Sequence, residues 1–355
     1  MSSDDPFGDP FGVACPLPIG DRANILLGHG SGGVLGAQLL ERVFLPAFAN
    51  PILERLDDQA VLEIGGVRIA FTTDSFVVTP IEFPGGDIGR LAVNGTINDL
   101  AVGGARPLYV AAAFILEEGL PIADLQRIVD SMRQAADAAG VAIVTGDTKV
   151  VGKGSGDQLF ITTTGIGIVA PHVALSADRV RAGDVVLVSG TIGDHGMAIM
   201  AMRQELGIGG PIESDTAPLH GLVEQMLHAS DQIHVMRDPT RGGVAATLCE
   251  IATRARVGIE LDETAVPVRE TVRGACELLG LDPLHVANEG KLVAFVAADH
   301  ADRVLQAMRH HPLGRDAARI GTVTDAHPGM VIARTAIGGS RVVELAFGEL
   351  LPRIC

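Results

Sequence analysis

The strongest constraint on the fold of this chain is a pattern that runs twice. From Val61 short apolar strands alternate with amphipathic helical runs, and after Ala170 the alternation begins again. The first run opens with VLEI, a Gly65-Gly66 turn and VRIAFTTDSFVV, which together read as a β-hairpin. Helical stretches at 87–101 and 122–139 flank the apolar strand PLYVAAAFIL, and the strands VAIVTGDTKVV and QLFITTTGIGIV enclose a glycine-rich loop, GKGSGD. Strands that cluster with helices over one face describe an α+β half. The second run brings a strand DVVLVSG, helices near 195–206, 217–229 and 243–255, a strand LVAFVAA and a last helix before HPLG.

A length of 355 residues accommodates about two such units, and the break in pattern falls near residues 170–183. The expected organisation is a mobile Asp-, Pro- and Gly-rich extension over 1–18, one domain over 19–170, a second over 171–337, and a tail over 338–355. The tail finishes as LLPRIC, where Pro352 stops any helix.

Charge excludes some functions. Lys and Arg total 27 against 43 Asp and Glu, a net of −16, and a surface that acidic repels phosphate backbones and anionic lipid. Neither nucleic acid nor a membrane is expected as a partner, and no run approaches a membrane span. The opening MSSDDPFGDPFG lacks the basic and apolar regions of a signal peptide, so the expected location is cytoplasmic. Cys15, Cys249, Cys276 and Cys355 form no CxxC pair and read as reduced thiols. The 11 histidines show no zinc-ligand spacing.

Four features carry chemistry. GHGSGG, residues 28–33, precedes a helical run, so backbone N–H groups from His29, Gly30, Ser31, Gly32 and Gly33 could converge on an anion; a flexible turn accounts for it equally well. Asp74, Asp99, Asp147 and Asp238 stand at strand ends or in glycine-flanked turns. Each alone reads as a cap or turn residue, whereas four together suit Mg²⁺ with a triphosphate. Lys149 and Arg241 near them add phosphate-binding cations. Glu289, in NEGK before a strand, reads equally as a buried proton acceptor or a salt-bridged turn. His195 in GDHG reads as a helix-start residue rather than a phosphate contact. Cys355, last in the chain, could act as a tethered substrate at high effective concentration, with Lys149 or Glu289 assisting its thiol.

Taken together, GHGSGG, TTDSFVV, FPGGDIG, NDLAVGGARP, FILEEGLP, TGDTKVV, VSGTIGDHG, MRDPTRGG, VANEGKLV, HPLG and LPRIC resemble the HypE family of hydrogenase-maturation carbamoyl dehydratases, from about residue 25 to the end. The family belongs to the aminoimidazole ribonucleotide synthetase-like (PurM-like) superfamily. The resemblance implies an α/β two-domain fold with a flexible C-terminal tail, ATP and Mg²⁺ as cofactors, and a homodimer formed through the N-terminal domain. It further implies that HypF places a carboxamide on Cys355, that ATP-dependent dehydration leaves a thiocyanate, and that the cyanide passes to iron on HypC–HypD. On this chain the family's base and thiol-activating pair falls on Glu289 and Lys149. The nucleotide site falls on His29, Gly30, Ser31, Gly32, Gly33, Asp74, Asp99, Asp147, Thr148, Asp238, Thr240 and Arg241, with Asp74, Asp99 and Asp238 at the metal. Two other readings predict different behaviour: a small-molecule kinase of the superfamily with a non-essential tail, and a nucleotide-binding scaffold whose tail only docks a partner.

Overall fold

A computed structural model of the chain describes residues 24–204, 212–348, 351 and 353–355. The expected extension over 1–18, with Cys15, lies outside the described residues. The chain begins with a 3₁₀ turn at Leu27–Gly30 and two short helices, α1 (Val34–Leu39) and α2 (Leu45–Phe48), joined by one π-helical segment.

The first half forms a five-stranded sheet. β1 (Ala60–Ile64) and β2 (Val67–Phe76) make the hairpin, and its two-residue turn needs Gly65 and Gly66 because both have positive φ. A two-residue pair, β3 (Glu82–Phe83) with β4 (Gly86–Asp87), leads into α3 (Ile88–Val102). Asp87 caps α3, accepting from Gly89 N at 2.8 Å and Arg90 N at 3.0 Å. β5 (Ala105–Glu117), α4 (Ile122–Ala139), β6 (Ala142–Val151) and β7 (Leu159–Val169) complete the half in the order β1-β2-β7-β5-β6.

α3 is almost wholly buried, because it lies between this sheet and the second half. Its Asn98 joins them: Nδ2 donates to Ala217 O and Glu289 O, both at 3.0 Å, while Oδ1 accepts from Leu219 N at 2.8 Å. An apolar side chain there would orphan three buried backbone groups.

The second half holds β8 (Val185–Val188), α5 (Asp194–Arg203), α6 (His220–Ala229), β9 (Ile233–Arg237), α7 (Gly243–Ala255), β10 (Gly258–Asp262), α8 (Glu270–Leu279), β11 (Val293–Val296), α9 (Ala298–His310), β12 (Ala318–Thr324), β13 (Val331–Arg334) and β14 (Ser340–Val343). The seven strands run β14-β13-β10-β12-β8-β11-β9. VVLV and VAFV are unbroken apolar runs because both faces of β8 and β11 are covered. Val186, Val188 and Phe295 pack with α7 on one side, and Val185, Leu187 and Ala294 with α6 and α9 on the other. β9, α8, β10 and the strands from β12 onward are elements that the strand-and-helix reading of the sequence did not single out. β14 shows that the chain after residue 337 contributes an edge strand before it turns toward Cys355. No described helix is long and apolar enough to cross a membrane.

Candidate active site

Three of the four aspartates meet. Asp74 on β2, Asp99 in the last turn of α3 and Asp238 just after β9 line one cavity of about 280 Å³, with Gly32, Thr240 and Arg241. Two further carboxylates line it, Asp58 and Glu250, and both escaped the sequence reading; the signal for Asp58 was the acidic pair DDQ immediately before the first strand. Burial pushes these acids up, Asp238 to about 8 with help from Asp58, and Asp99 well above the ordinary aspartate range with help from Asp238, Asp58 and Asp74; burial also raises Asp58 to about 6, Glu250 and Asp57 adding to it and Arg237 opposing. Asp74 is raised by burial too, against Arg241. Arg237 answers part of this charge, 2.7 Å from Asp58 and 3.3 Å from Glu250, and Thr72 donates to Asp99 at 2.8 Å.

Asp58 Oδ2 is buried with no partner among the described residues. Hard oxygen donors that repel one another and leave one oxygen orphaned fit a divalent cation. Among the described residues no three acidic, histidine or cysteine side chains converge closely enough to hold an ion alone. That spacing suits Mg²⁺, which keeps waters and takes one or two carboxylates together with substrate phosphates.

The GHGSGG loop forms one wall. Gly32, at φ +72, needs to be glycine: a Cβ would stand 2.6 Å from Arg241 O. Arg241 donates back to Gly30 O at 3.2 Å, and Ser31 Oγ donates to Gly28 O at 2.8 Å and Gly348 O at 3.1 Å. Gly33 packs on Ala346, whose carbonyl accepts from Val34 N at 3.0 Å. His29 turns away, its Nδ1 3.0 Å from Leu26 N. The loop is therefore wedged between RDPTRGG and the chain entering the tail.

That tail is seated inside the molecule. Ile354 is buried in the N-terminal core, Cys355 O accepts from Val77 N at 3.0 Å, and Ile354 O lies 2.9 Å from His195 Nε2. His195, the second residue of α5, is fully buried with Nδ1 2.8 Å from Ser214 Oγ. Burial lowers its pKa, and the ring serves as a hydrogen-bonding post for the tail. Its helix-start position agrees with the sequence reading, and its contact with the tail is new.

Glu289 is buried on the same side, its Oε1 without a hydrogen-bond partner among the described residues. Burial, then Asp238, Asp74 and Asp215, raise it well above the ordinary glutamate range, against Arg241. The loop around it is rigid: Asn288 Oδ1 accepts from Gly193 N at 2.7 Å, Asn288 Nδ2 donates to Pro239 O at 2.9 Å, and Glu289 N donates to Asp215, itself paired with Lys291 at 3.0 Å. The Cys355 thiol is pushed strongly up by burial, Glu289 and Asp74, with Arg241 acting against them. Thiol, unsatisfied carboxylate, guanidinium and the acidic cavity thus form one electrostatic neighbourhood.

Asp147, Thr148 and Lys149 stand apart. They lie on β6 at the sheet edge, and Lys149 pairs with Asp147 at 2.8 Å, with 70% and 63% of the two side chains exposed. Lys149 aligns with Ile115, and Ile115 with Phe160. Three strand spacings, about 14 Å, separate β6 from β2. One lysine side chain does not span that gap, so within a single chain the structure does not bring these residues to Cys355.

Family models for AIR synthase related protein match residues 56–169 (N-terminal domain) and 181–333 (C-terminal domain). The chain is 57% identical over 327 residues to "Carbamoyl dehydratase HypE" of Azotobacter vinelandii, covering 92% of this chain and 96% of that one. It is 50% identical over 337 residues to the protein of the same name from Escherichia coli, covering 94% and 99%. Among solved structures it is similar to HypE in a HypE–HypF complex (51% identity, TM-score 0.83, covering 87% and 99%) and to hydrogenase maturation protein HypE in complex with ATP (50%, 0.79, covering 94% and 100%).

Proposed function

The chain belongs to the HypE family of carbamoyl dehydratases, hydrogenase-maturation proteins of the AIR synthase related group, and from that premise we propose that its substrate is a carboxamide carried on its own Cys355. The observation that carries the reading is the seat of the thiol. Cys355 is held by Val77 and, through Ile354, by His195, with Glu289 and Arg241 as electrostatic neighbours beside the carboxylate cavity.

The chemistry follows from that placement. HypF, crystallised with a relative, would load the thiol from carbamoyl phosphate. The carboxamide oxygen attacks the terminal phosphoryl group of ATP; an O–P bond forms as the anhydride bond to ADP breaks, and nitrogen gives one proton to an oxygen of the transferred phosphoryl group. The imidate then loses its remaining N–H proton to Glu289 as its C–O bond breaks, leaving S–C≡N and inorganic phosphate. Phosphorylation is what makes the oxygen a leaving group. Bound among Asp58, Asp74, Asp99 and Asp238, Mg²⁺ would neutralise the cluster, bring Glu289 down toward a working base, and meet charge on the transferred phosphoryl group. Arg241 faces both the acids and the thiol and adds fixed positive charge. Ile354, packed into the core, excludes water that would hydrolyse the imidate. The cyanide then passes to iron on HypC–HypD.

We place Lys149 by a homodimer. The outer face of the N-terminal sheet exposes Phe71, Tyr109, Ile115, Ile166 and Ile168. A second copy covering that face would bury an apolar surface too large for a monomer and bring the partner's Lys149 toward the site. The N-terminal domain, 19–170, then carries ATP and the dimer contact, and 171–337 supplies Asp238, Arg241 and Glu289. Cys355→Ala tests the reading. With HypF, carbamoyl phosphate and ATP it should acquire no carboxamide, and a variant that still acquired and dehydrated one would overturn it.

A further inference from the structure

The tail reaches the site through Arg353, whose backbone sits at φ +52, a left-handed conformation that residues with a Cβ rarely adopt. Contacts on several sides hold it there. The guanidinium pairs with Asp157, Nε donates to Val77 O at 3.2 Å, and the group's centre lies 5.9 Å from the Phe160 ring. The Arg353 carbonyl accepts from Thr79 N at 3.3 Å and from Arg203, which also donates to Thr79 O at 2.6 Å. The next two residues bury Ile354 and deliver Cys355 to Glu289 and Arg241.

Asp157 is presented by a rigid support. It ends the GKGSGD loop, which Glu117 clamps by accepting from Gly154 N and, at 2.9 Å, from Gln158 N. The pair is nevertheless breakable. Its side chains are 29% and 35% exposed, and Arg353 Nη2 is buried without an acceptor among the described residues. A hold that is incomplete and open to water can be released without unfolding the sheet beneath it.

We infer that Arg353 is a positioning residue for Cys355, and that its pair with Asp157 is the latch that keeps the thiol beside Glu289 rather than in solvent. The consequence rests on the proposed chemistry: a tail that accepts its carboxamide from another protein has to leave, and one that is dehydrated has to be held.

Peptide-resolved alkylation by iodoacetamide, with the full chain, tests the latch. Arg353→Gln and Asp157→Asn should each raise the Cys355 rate about tenfold, the effect of about 1.4 kcal/mol. Cys249 and Cys276, buried in the second half, should stay protected and report intact folding. Arg353→Lys, which keeps the charge opposite Asp157, should fall between wild type and Arg353→Gln. Single-turnover dehydration of the carbamoylated protein should slow in the same order. Wild-type alkylation rates in both neutral variants would overturn the latch, as would Cys249 or Cys276 reacting in step with Cys355. Wild-type protein that shields Cys355 yet never dehydrates its carboxamide would sink the functional reading and leave the latch standing.

Discussion

Asp238→Asn should stabilise the metal-free protein while removing its activity. Asp238 takes up its proton at about 8 in the fold against 3.8 when unperturbed, because it is buried beside Asp58 and Asp74. An aspartate with a raised folded pKa binds its proton more tightly when folded. The stability it contributes is complete below 3.8, falls as pH rises, and is lost beyond about 8. At 1.36 kcal/mol per pH unit that interval bounds the loss at about 6 kcal/mol. Relaxation and water entry shrink such penalties several-fold, which leaves about 2 kcal/mol at pH 9 and about half of that at pH 6. For domains of this size that is a Tm rise of about 4–8 °C at pH 9. The assay is thermal unfolding in EDTA at both pH values, followed by ATP-dependent dehydration with Mg²⁺ at pH 8. A variant that melts at or below the wild-type temperature at pH 9, or gains equally at both pH values, would refute the reasoning that the acids are held together against their own repulsion for a cation.

Other outcomes follow from the same geometry. Glu289→Gln should still acquire its carboxamide but dehydrate it at least about 100-fold more slowly, the usual weight of a positioned base, as read by intact mass over time. Mixing and re-equilibrating Lys149→Ala with Glu289→Gln should restore about a quarter of wild-type activity, since random dimers are half mixed and each mixed dimer has one complete site. No recovery, with mixed dimers shown to form, would confine Lys149 to its own chain or remove it from the chemistry.

Much of this architecture is legible in the chain because local rules and tertiary needs agree. The Gly65-Gly66 hairpin is visible since glycine adopts two consecutive positive φ values without strain, and 122–139 reads as a helix since Ile128, Met132 and Ala135 form its buried stripe. Asp74, Asp99 and Asp238 can be singled out only within a set of four that includes Asp147, since each alone reads as a cap or turn residue. Their meeting point cannot be read, for it depends on how the two halves dock across Asn98. Asp58 is hidden for a related reason: an acidic pair before a strand resembles any turn, and only burial marks one member. β6 shows the opposite limit. Its alternation marks a strand, but whether its outer face meets water or a second chain is not written in a single sequence. The tail's inward seat is equally invisible, since LPRIC has no periodicity and its hold comes from Val77, Asp157 and His195, far away in the chain.

The central claim is that this chain dehydrates a carboxamide on its own last residue. The measurement closest to it is the mass of the C-terminal peptide of carbamoylated wild-type protein before and after ATP and Mg²⁺. Cys355 should lose the mass of one water, with one ATP converted to ADP and phosphate per chain. A carboxamide that survives while ATP is consumed, or a water lost from any other residue, would contradict it.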